Sequence, residues 1–205
     1  MKEIIIATKN EGKVKEFKQL FDQYGIQVKS LIDLDTDLPE VEETGVTFQE
    51  NARLKAEQIS AMIEQPVLAD DSGLVIDTLE GRPGVYSARY GGEPTNDLLN
   101  YEKVLTEMED VPEKKRSARF ICVLAMAIPG EKTIFKEGAC EGVISTEPKG
   151  ENGFGYDPIF IPNGYNKTMA ELDQSVKNKI SHRFNALIQL ETWLNEEINA
   201  GEKDE

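Results

Sequence analysis

The chain has 205 residues, of which 39% are apolar and 30% charged, and its formal net charge is −15. This length and apolar content fit one large globular domain, or two closely joined lobes, with a substantial core. The acidic balance disfavours sequence-independent binding to DNA, RNA or an anionic membrane, because those surfaces reward a basic protein face. Any phosphate-binding site must therefore be local.

The chain has two cysteines and one histidine, which are too few for a structural zinc site built from Cys and His ligands. Cys122 and Cys140 fall in segments that we expect to be strands, so we expect buried, reduced thiols. No signal-peptide pattern opens the sequence, and no apolar run is long enough to span a bilayer. We therefore expect a cytoplasmic protein that does not bind membranes.

The first elements are a strand and a helix joined by a polar turn. Residues 4–6 are isoleucines and indicate a short buried strand. Apolar residues then recur at helical spacing over 14–24, and this helix is expected to end at Gly25. The polar residues 8–13 therefore form a strand-to-helix turn.

A second strand, an acidic loop and a second helix follow. The strand is expected near residues 27–31 and the loop over 33–43. Thr47 and Glu50 have the spacing of a capping box, which predicts a helix from there to about Ile63.

Asp70 and Asp71 are adjacent acids after an apolar strand over 67–69, and we expect this strand to break at Gly73 before another over 74–79. Because side chains alternate along a strand, one carboxylate can face a cleft while the other faces packed structure and needs a partner. Acids at strand ends commonly hold Mg²⁺. Alternatively, one of them caps backbone amides in a turn.

The second half predicts a helix over 96–108 and a strand pair over 118–128 and 132–144, turning at Pro129 and Gly130. A final helix is expected to place one apolar stripe on the core. The stripe consists of Ile180, Phe184, Leu187, Leu194 and Ile198. Together these elements predict an α/β fold with a mixed sheet, formed by one domain over 1–200 and an acidic tail over 201–205.

Two clusters suggest phosphate and metal binding. Backbone amides at the first helix N-terminus, with Asn10 and Lys13, can hold an anion, although the Walker A pattern is absent. Glu42 or Glu43 can complete a metal site with Asp71. Acidic loops are more often simply solvated, so this alternative stays open.

Two later clusters suggest recognition of a flat ligand. Glycines in 153–157 allow close approach of the backbone, and Phe154 offers a face on which a base can stack, unless its ring belongs to the core. Lys177 and the residues 181–183, Ser-His-Arg, are expected on the first turns of the last helix. Cations there oppose the helix dipole, which favours an anion or a carbonyl group nearby.

Taken in chain order, these motifs resemble the inosine triphosphate pyrophosphatase family, house-cleaning enzymes that hydrolyse non-standard purine nucleoside triphosphates. The similarity extends over about residues 2–194. The segments that carry it are 8–13, 42–45 with Phe48 and 50–52, 69–74, 83–90, 154–158 and 180–183.

The resemblance implies an elongated mixed sheet flanked by helices, in two lobes with a substrate cleft between them, and a homodimer. It also implies Mg²⁺-dependent conversion of dITP, ITP and XTP to a monophosphate and pyrophosphate. Glu42 and Asp71 would hold the metal, and Asp71 would accept the proton of the attacking water. The implied substrate-binding residues are Thr8, Lys9, Asn10, Glu11, Gly12, Lys13, Lys55, Ser72, Phe154, Gly155, Tyr156, Asp157, Lys177, His182 and Arg183.

Two other functions compete with this one. In a different hydrolase, Ser72 would be a nucleophile with His182 as its base, but the Gly-x-Ser-x-Gly elbow is absent. In a nucleotide sensor or RNA-binding module, the same cleft would bind without turnover. The net charge of −15 disfavours RNA, and a sensor has little use for two acids beside phosphates.

Overall fold

The computed structural model describes residues 2–8, 11–34 and 38–201, and this part of the chain contains six strands and five α-helices. The strands are β1 Glu3–Ile6, β2 Gln27–Ser30, β3 Val67–Ile76, β4 Ser117–Ala127, β5 Ile134–Ile144 and β6 Phe160–Pro162. The helices are α1 Glu11–Asp22, α2 Phe48–Ile63, α3 Asp97–Glu107, α4 Gln174–Ile180 and α5 His182–Gly201.

The strands form one mixed sheet in the order β2-β1-β3-β4-β5-β6. β1 pairs in parallel with both β2 and β3, whereas β5 and β6 are antiparallel. Ile5 lies opposite Lys29 in one of the parallel pairs, and Ile6 lies opposite Leu68 in the other. The predicted α/β fold with a mixed sheet is therefore confirmed.

The chain divides into two compact units. The first consists of the described parts of Met1–Asp71, Val123–Glu137 and Leu187–Glu205, and the second of Ser72–Cys122 and Gly138–Ala186. β3 contributes residues to both units, because the first unit ends at Asp71 and the second begins at Ser72.

The core of the first unit includes β1 and one side of each neighbouring helix. Residues 4–6 are buried, as expected for a parallel strand covered on both faces. Helix α1 buries Phe17 and Phe21, which lie four residues apart and so share one helix face. Ile59 of α2 packs against β1 and Val67.

The core of the second unit contains packed aromatic rings and includes Cys140. Phe120 and Phe160 have ring centroids 4.5 Å apart. Cys122 and Cys140 are buried thiols, as the sequence predicted. The pKa of Cys140 is raised to about 11, mainly by burial and then by the negative charges of Glu141 and Asp157. That thiol is therefore poorly reactive at neutral pH.

A buried arginine joins two segments of the second unit. Arg116, only 3% exposed, donates to the carbonyl oxygens of Met108 at 2.7 Å and Val111 at 3.1 Å, just after α3. It also donates to Ile144 at 2.8 Å and Ser145 at 2.7 Å, at the end of β5. These four bonds satisfy the buried guanidinium and tie the two segments together, and the Met108 carbonyl oxygen also accepts from the Val111 amide at 3.0 Å.

Several predicted elements are confirmed. The capping box is formed, since the Thr47 side chain accepts from the Glu50 amide and Glu50 in turn accepts from the Thr47 amide at 3.2 Å. Helix α2 ends at Ile63, as expected. Helix α3 spans the predicted segment with Asn96 as its N-cap. Within the described residues, no helix combines the length and apolar character needed to cross a membrane.

Two boundaries were predicted wrongly. β3 does not break at Gly73 but runs on to Ile76, followed by a 3₁₀ turn over Asp77–Leu79, because the apolar run before the acids and the one after them form one strand. The last helix is two helices, separated at Ser181, whose φ of −65° and ψ of 150° are those of an extended residue. Phe184 is 36% exposed and lies off the buried stripe, whereas Leu194 lies on it.

We predict that Arg116→Ala lowers the free energy of unfolding by about 3 kcal/mol or more, because four hydrogen bonds from a buried cation are lost. Urea unfolding measures this change. Arg119→Ala is the matched control, since Arg119 pairs with Asp77 and Glu141 at the surface. We expect about 1 kcal/mol or less for the control. Equal losses for the two variants would contradict the role of Arg116.

Candidate active site

One group of charged and polar residues lies within the first unit, and we call it the carboxylate–lysine cluster. Its members are Lys13, Glu43, Asn51, Lys55, Asp70 and Asp71. Asp70 is buried, with 4% exposure, and its carboxylate pairs with the Lys13 ammonium at 2.6 Å. The prediction that one of the adjacent acids faces packed structure with a partner is thus confirmed. Lys13, expected to meet phosphate, is paired with this acid.

Lys55 links Asp70 to the acidic loop. Its ammonium donates to the Asp70 carbonyl oxygen and forms an ion pair with Glu43 at 2.9 Å. Burial alone would lower the pKa of Lys55. The nearby carboxylates of Asp70, Glu43 and Asp71 outweigh burial and raise that pKa above its ordinary value. Lys55 is therefore a fixed positive charge at neutral pH.

Asp71 is oriented by Asn51, a residue whose role the sequence did not predict. The Asn51 amide nitrogen donates to the Asp71 carboxylate at 3.1 Å, and its oxygen accepts from the Gly45 amide at 2.8 Å. Asn51 is 1% exposed. In the sequence, Asn51 directly follows Glu50 of the capping box. A polar side chain that is buried there needs a hydrogen-bond partner from another segment, and this need could have indicated its role. Asp71 itself is half-buried.

The remaining predicted phosphate and metal residues have these positions. Thr8 follows β1 and is half-buried, and Lys9 and Asn10 lie outside the described residues. Glu11 and Gly12 form the start of α1. Glu42 is exposed in the acidic loop, and Ser72 follows Asp71 in β3. Throughout 2–8, 11–34 and 38–201, no three His, Cys, Asp or Glu side chains converge as a metal cage.

The second group lies within the second unit and contains residues 153–157, which we call the glycine loop. Gly153 and Gly155 have φ values of +84° and +60°, which disfavour residues with side chains. Phe154 is 65% exposed, so its ring is not part of the core. Tyr156 is buried and donates to the Ser87 carbonyl oxygen at 2.7 Å, and burial raises the pKa of its phenol.

Three backbone amides of the glycine loop already have acceptors within the protein. The Phe154 amide donates to the Asp157 carboxylate at 3.1 Å, and the Gly155 amide donates to the Asp97 carboxylate at 2.7 Å. The Asp157 amide donates to the Phe154 carbonyl oxygen at 3.2 Å. A ligand would therefore have to find its donors mainly among side chains.

Of the three predicted cations, Lys177 differs in position from the prediction, whereas His182 and Arg183 lie on the first turn of the last helix as predicted. Lys177 lies in the last turn of α4, where a cation suits the helix dipole, and not at the start of the final helix. It is buried, pairs with the Asp157 carboxylate, and its nitrogen lies 4.9 Å from the Phe154 ring centroid. His182 begins α5 and stacks on Phe120 at 5.0 Å, and Arg183 follows it.

Sequence comparison identifies relatives of this chain. A family model described as the Ham1 family matches residues 4–193. A protein of Oceanobacillus iheyensis named dITP/XTP pyrophosphatase is 64% identical over 194 residues, covering 95% of this chain and 98% of that protein. A Bacillus subtilis protein of the same name is 56% identical, covering 95% of this chain and 98% of that protein.

Solved structures with the same fold agree with these matches. The Ham1 protein of Staphylococcus aureus has a TM-score of 0.90 and 44% identity, covering 96% of this chain and 100% of that one. A nucleoside-triphosphatase, dITP/XTP pyrophosphatase, of Mycobacterium abscessus has a TM-score of 0.82 and 38% identity, covering 92% of this chain and 97% of that one.

We predict that Lys55→Met destabilises the protein at pH 7 and that the difference from the unmodified protein shrinks at alkaline pH. The pKa of Lys55 is raised above 10.5 in the folded state. The stabilisation is therefore complete below that pH and is lost as pH rises through the folded-state pKa. Urea unfolding at several pH values measures it.

Lys18→Met is the control for this experiment, because Lys18 is exposed on α1. We expect no comparable pH-dependent difference in the control. A difference for Lys55→Met that stays constant to pH values well above 10.5 would contradict the assignment.

Proposed function

Because this chain belongs to the Ham1 family, the inosine triphosphate pyrophosphatases that its motifs resemble, we propose that it is a non-standard purine nucleoside triphosphate pyrophosphatase. It hydrolyses dITP, ITP and XTP to the nucleoside monophosphate and pyrophosphate. Relatives at 64% and 56% identity that are named dITP/XTP pyrophosphatase support the substrate class. The enzyme would remove deaminated purines from the nucleotide pool.

The structural observation that carries this proposal is the unequal environment of two adjacent acids. Asp70 is buried against Lys13, whereas Asp71 is half-buried and held by Asn51. One acid therefore maintains the structure and the charge balance. The other, Asp71, is the acid that we assign to the reaction.

The donor set fits Mg²⁺. This ion is usually held by one or two carboxylates together with substrate phosphates and water, not by a cage of protein ligands. Asp71 and the exposed Glu42 offer such carboxylates, and no larger cage exists among the described residues. When bound, Mg²⁺ would neutralise charge on the triphosphate and orient it.

Asp71 would accept the proton of the water that attacks the α-phosphorus. A general base has to be within hydrogen-bond reach of that water and has to be ionised. The Asn51 amide donates to the Asp71 carboxylate, which fixes its orientation. Pyrophosphate then leaves without a covalent enzyme intermediate.

Lysines would stabilise the negative charge of the phosphates. We assign this role to Lys13 and Lys55, with backbone amides at the start of α1. Both lysines have carboxylate partners at 2.6 Å and 2.9 Å, so their ammonium groups are held in place before a substrate arrives. Such preorganised charge is more effective than charge that must be gathered during the reaction.

The base would be bound by the glycine loop and the cations after it. The exposed Phe154 ring offers a stacking face. Lys177, His182 and Arg183 would donate to the oxygen at purine position 6, since three loop amides are already used. Thr8, Lys9, Asn10, Ser72, Tyr156 and Asp157 keep the substrate-binding roles that the family resemblance implies.

The competing functions have less support. A nucleophilic Ser72 would need His182 as its base, but the His182 ring is stacked on Phe120. A sensor would not need an oriented carboxylate at the phosphates. The family resemblance also implies a homodimer, which sedimentation velocity would test.

We predict that Asp71→Asn lowers kcat by about 10²- to 10⁴-fold with little change in melting temperature, because the shape is kept while the base is lost. Pyrophosphate release with saturating Mg²⁺ and ITP measures this loss. Asp70→Asn is the comparison and should lower the melting temperature, since Lys13 loses its buried partner. Near-normal turnover by Asp71→Asn would exclude Asp71 as the base.

We predict that ITP and XTP are hydrolysed far more efficiently than ATP and GTP. Adenine presents an amino donor at position 6 and would leave buried donors unpaired, which can cost about 10⁴-fold in kcat/KM. Arg183→Ala should weaken the discrimination against ATP. Comparable kcat/KM values for all four nucleotides would instead indicate a general nucleotide pyrophosphatase.

A further inference from the structure

The glycine loop is anchored by a residue far away in sequence. The Gly155 amide donates to the Asp97 carboxylate at 2.7 Å, across a separation of 58 residues. The two other amide bonds join residues within 153–157, and side chains tie the loop to the rest of the second unit through Tyr156, which donates to Ser87, and Asp157, which pairs with Lys177. A charged acceptor also makes a stronger hydrogen bond than a neutral one.

Asp97 is itself held firmly by the start of α3. The preceding residue, Asn96, caps this helix by accepting from the Leu99 amide at 3.2 Å. One turn later, Asn100 accepts from the Gly91 amide at 2.6 Å and donates to the Ala88 carbonyl oxygen at 3.0 Å. Asn100 is only 2% exposed. The carboxylate of Asp97 therefore projects from a fixed backbone.

The bond from Gly155 determines how the neighbouring ring is presented. Phe154 is 65% exposed, so core packing does not fix its orientation, which depends on its backbone and on the Lys177 ammonium 4.9 Å from its ring centroid. On the other side of Gly155, Tyr156 is anchored through its hydroxyl group to Ser87. Without the Asp97 bond, Gly155 could sample the many conformations open to glycine, and the ring would move with it.

We propose that Asp97 is a positioning residue for the purine base, which fixes the Gly155 amide and thereby the stacking face of Phe154. This inference rests on the proposed function for its substrate. An aspartate in the first turn of a helix also complements the helix dipole, and that simpler role would affect stability alone. The two roles are separated by substrate affinity and base selectivity.

The test compares Asp97→Ala, Asp97→Asn and Glu102→Ala, where Glu102 is an exposed acid further along α3. Asp97→Ala should raise the KM for ITP by about 10- to 100-fold, as expected for one lost hydrogen bond to a charged group. Its kcat should change little, and its preference for ITP over ATP should fall. Asp97→Asn keeps an acceptor oxygen and should restore most of the affinity. Glu102→Ala should match the unmodified protein.

Hydrogen exchange at the Gly155 amide provides a readout that does not depend on activity. Asp97→Ala should speed this exchange by about tenfold or more, while Glu102→Ala should leave it unchanged. Unchanged exchange, or an unchanged KM and base selectivity, would overturn the proposal. A lower melting temperature as the only effect would also overturn it. If the unmodified protein hydrolyses none of these triphosphates, the proposed function fails, and the exchange rate still decides whether Asp97 holds the loop.

Discussion

Compensation of the buried Asp70 carboxylate is the constraint on which the candidate active site depends. A carboxylate with 4% exposure is costly unless charges and hydrogen bonds replace water. Lys13 from α1 pairs with this carboxylate and Lys55 from α2 donates to the Asp70 carbonyl oxygen, so charge as well as apolar packing brings two helices to β3. The extra positive charge of the second lysine is shared with Glu43.

Local patterns in the sequence predicted much of the fold and of the site. Three patterns involve only residues close together in the sequence. They are the helical spacing of apolar residues, the Thr47–Glu50 capping box and the alternation of Asp70 and Asp71 along a strand. The continuation of β3 through Gly73 could not be predicted, because glycine breaks some strands and not others. The separation of α4 from α5 at Ser181 depends on tertiary packing. The partners of Asn51 and Asp97 are 20 and 58 residues away, beyond any local pattern.

The two groups of residues solve different chemical problems. In the carboxylate–lysine cluster, Lys13 pairs with Asp70 and Lys55 pairs with Glu43, while Asp71 is half-buried. In the glycine loop, the Phe154 and Gly155 amides donate to carboxylates of the protein itself, and the Phe154 side chain is exposed. Phosphate recognition by the proposed enzyme would therefore depend on charge. Base recognition would depend on shape and on side-chain donors.

Gly45 shows how a residue without functional groups can become indispensable. Its amide donates to Asn51, the residue that orients Asp71, and a Cβ atom at position 45 would lie 2.6 Å from the Asn51 oxygen and 2.7 Å from Glu50 Cβ. Even alanine would push Asn51 aside. In a saturation mutagenesis screen, position 45 would therefore score as intolerant as a catalytic residue. Such a score would report the space that Asn51 needs and not chemistry at Gly45.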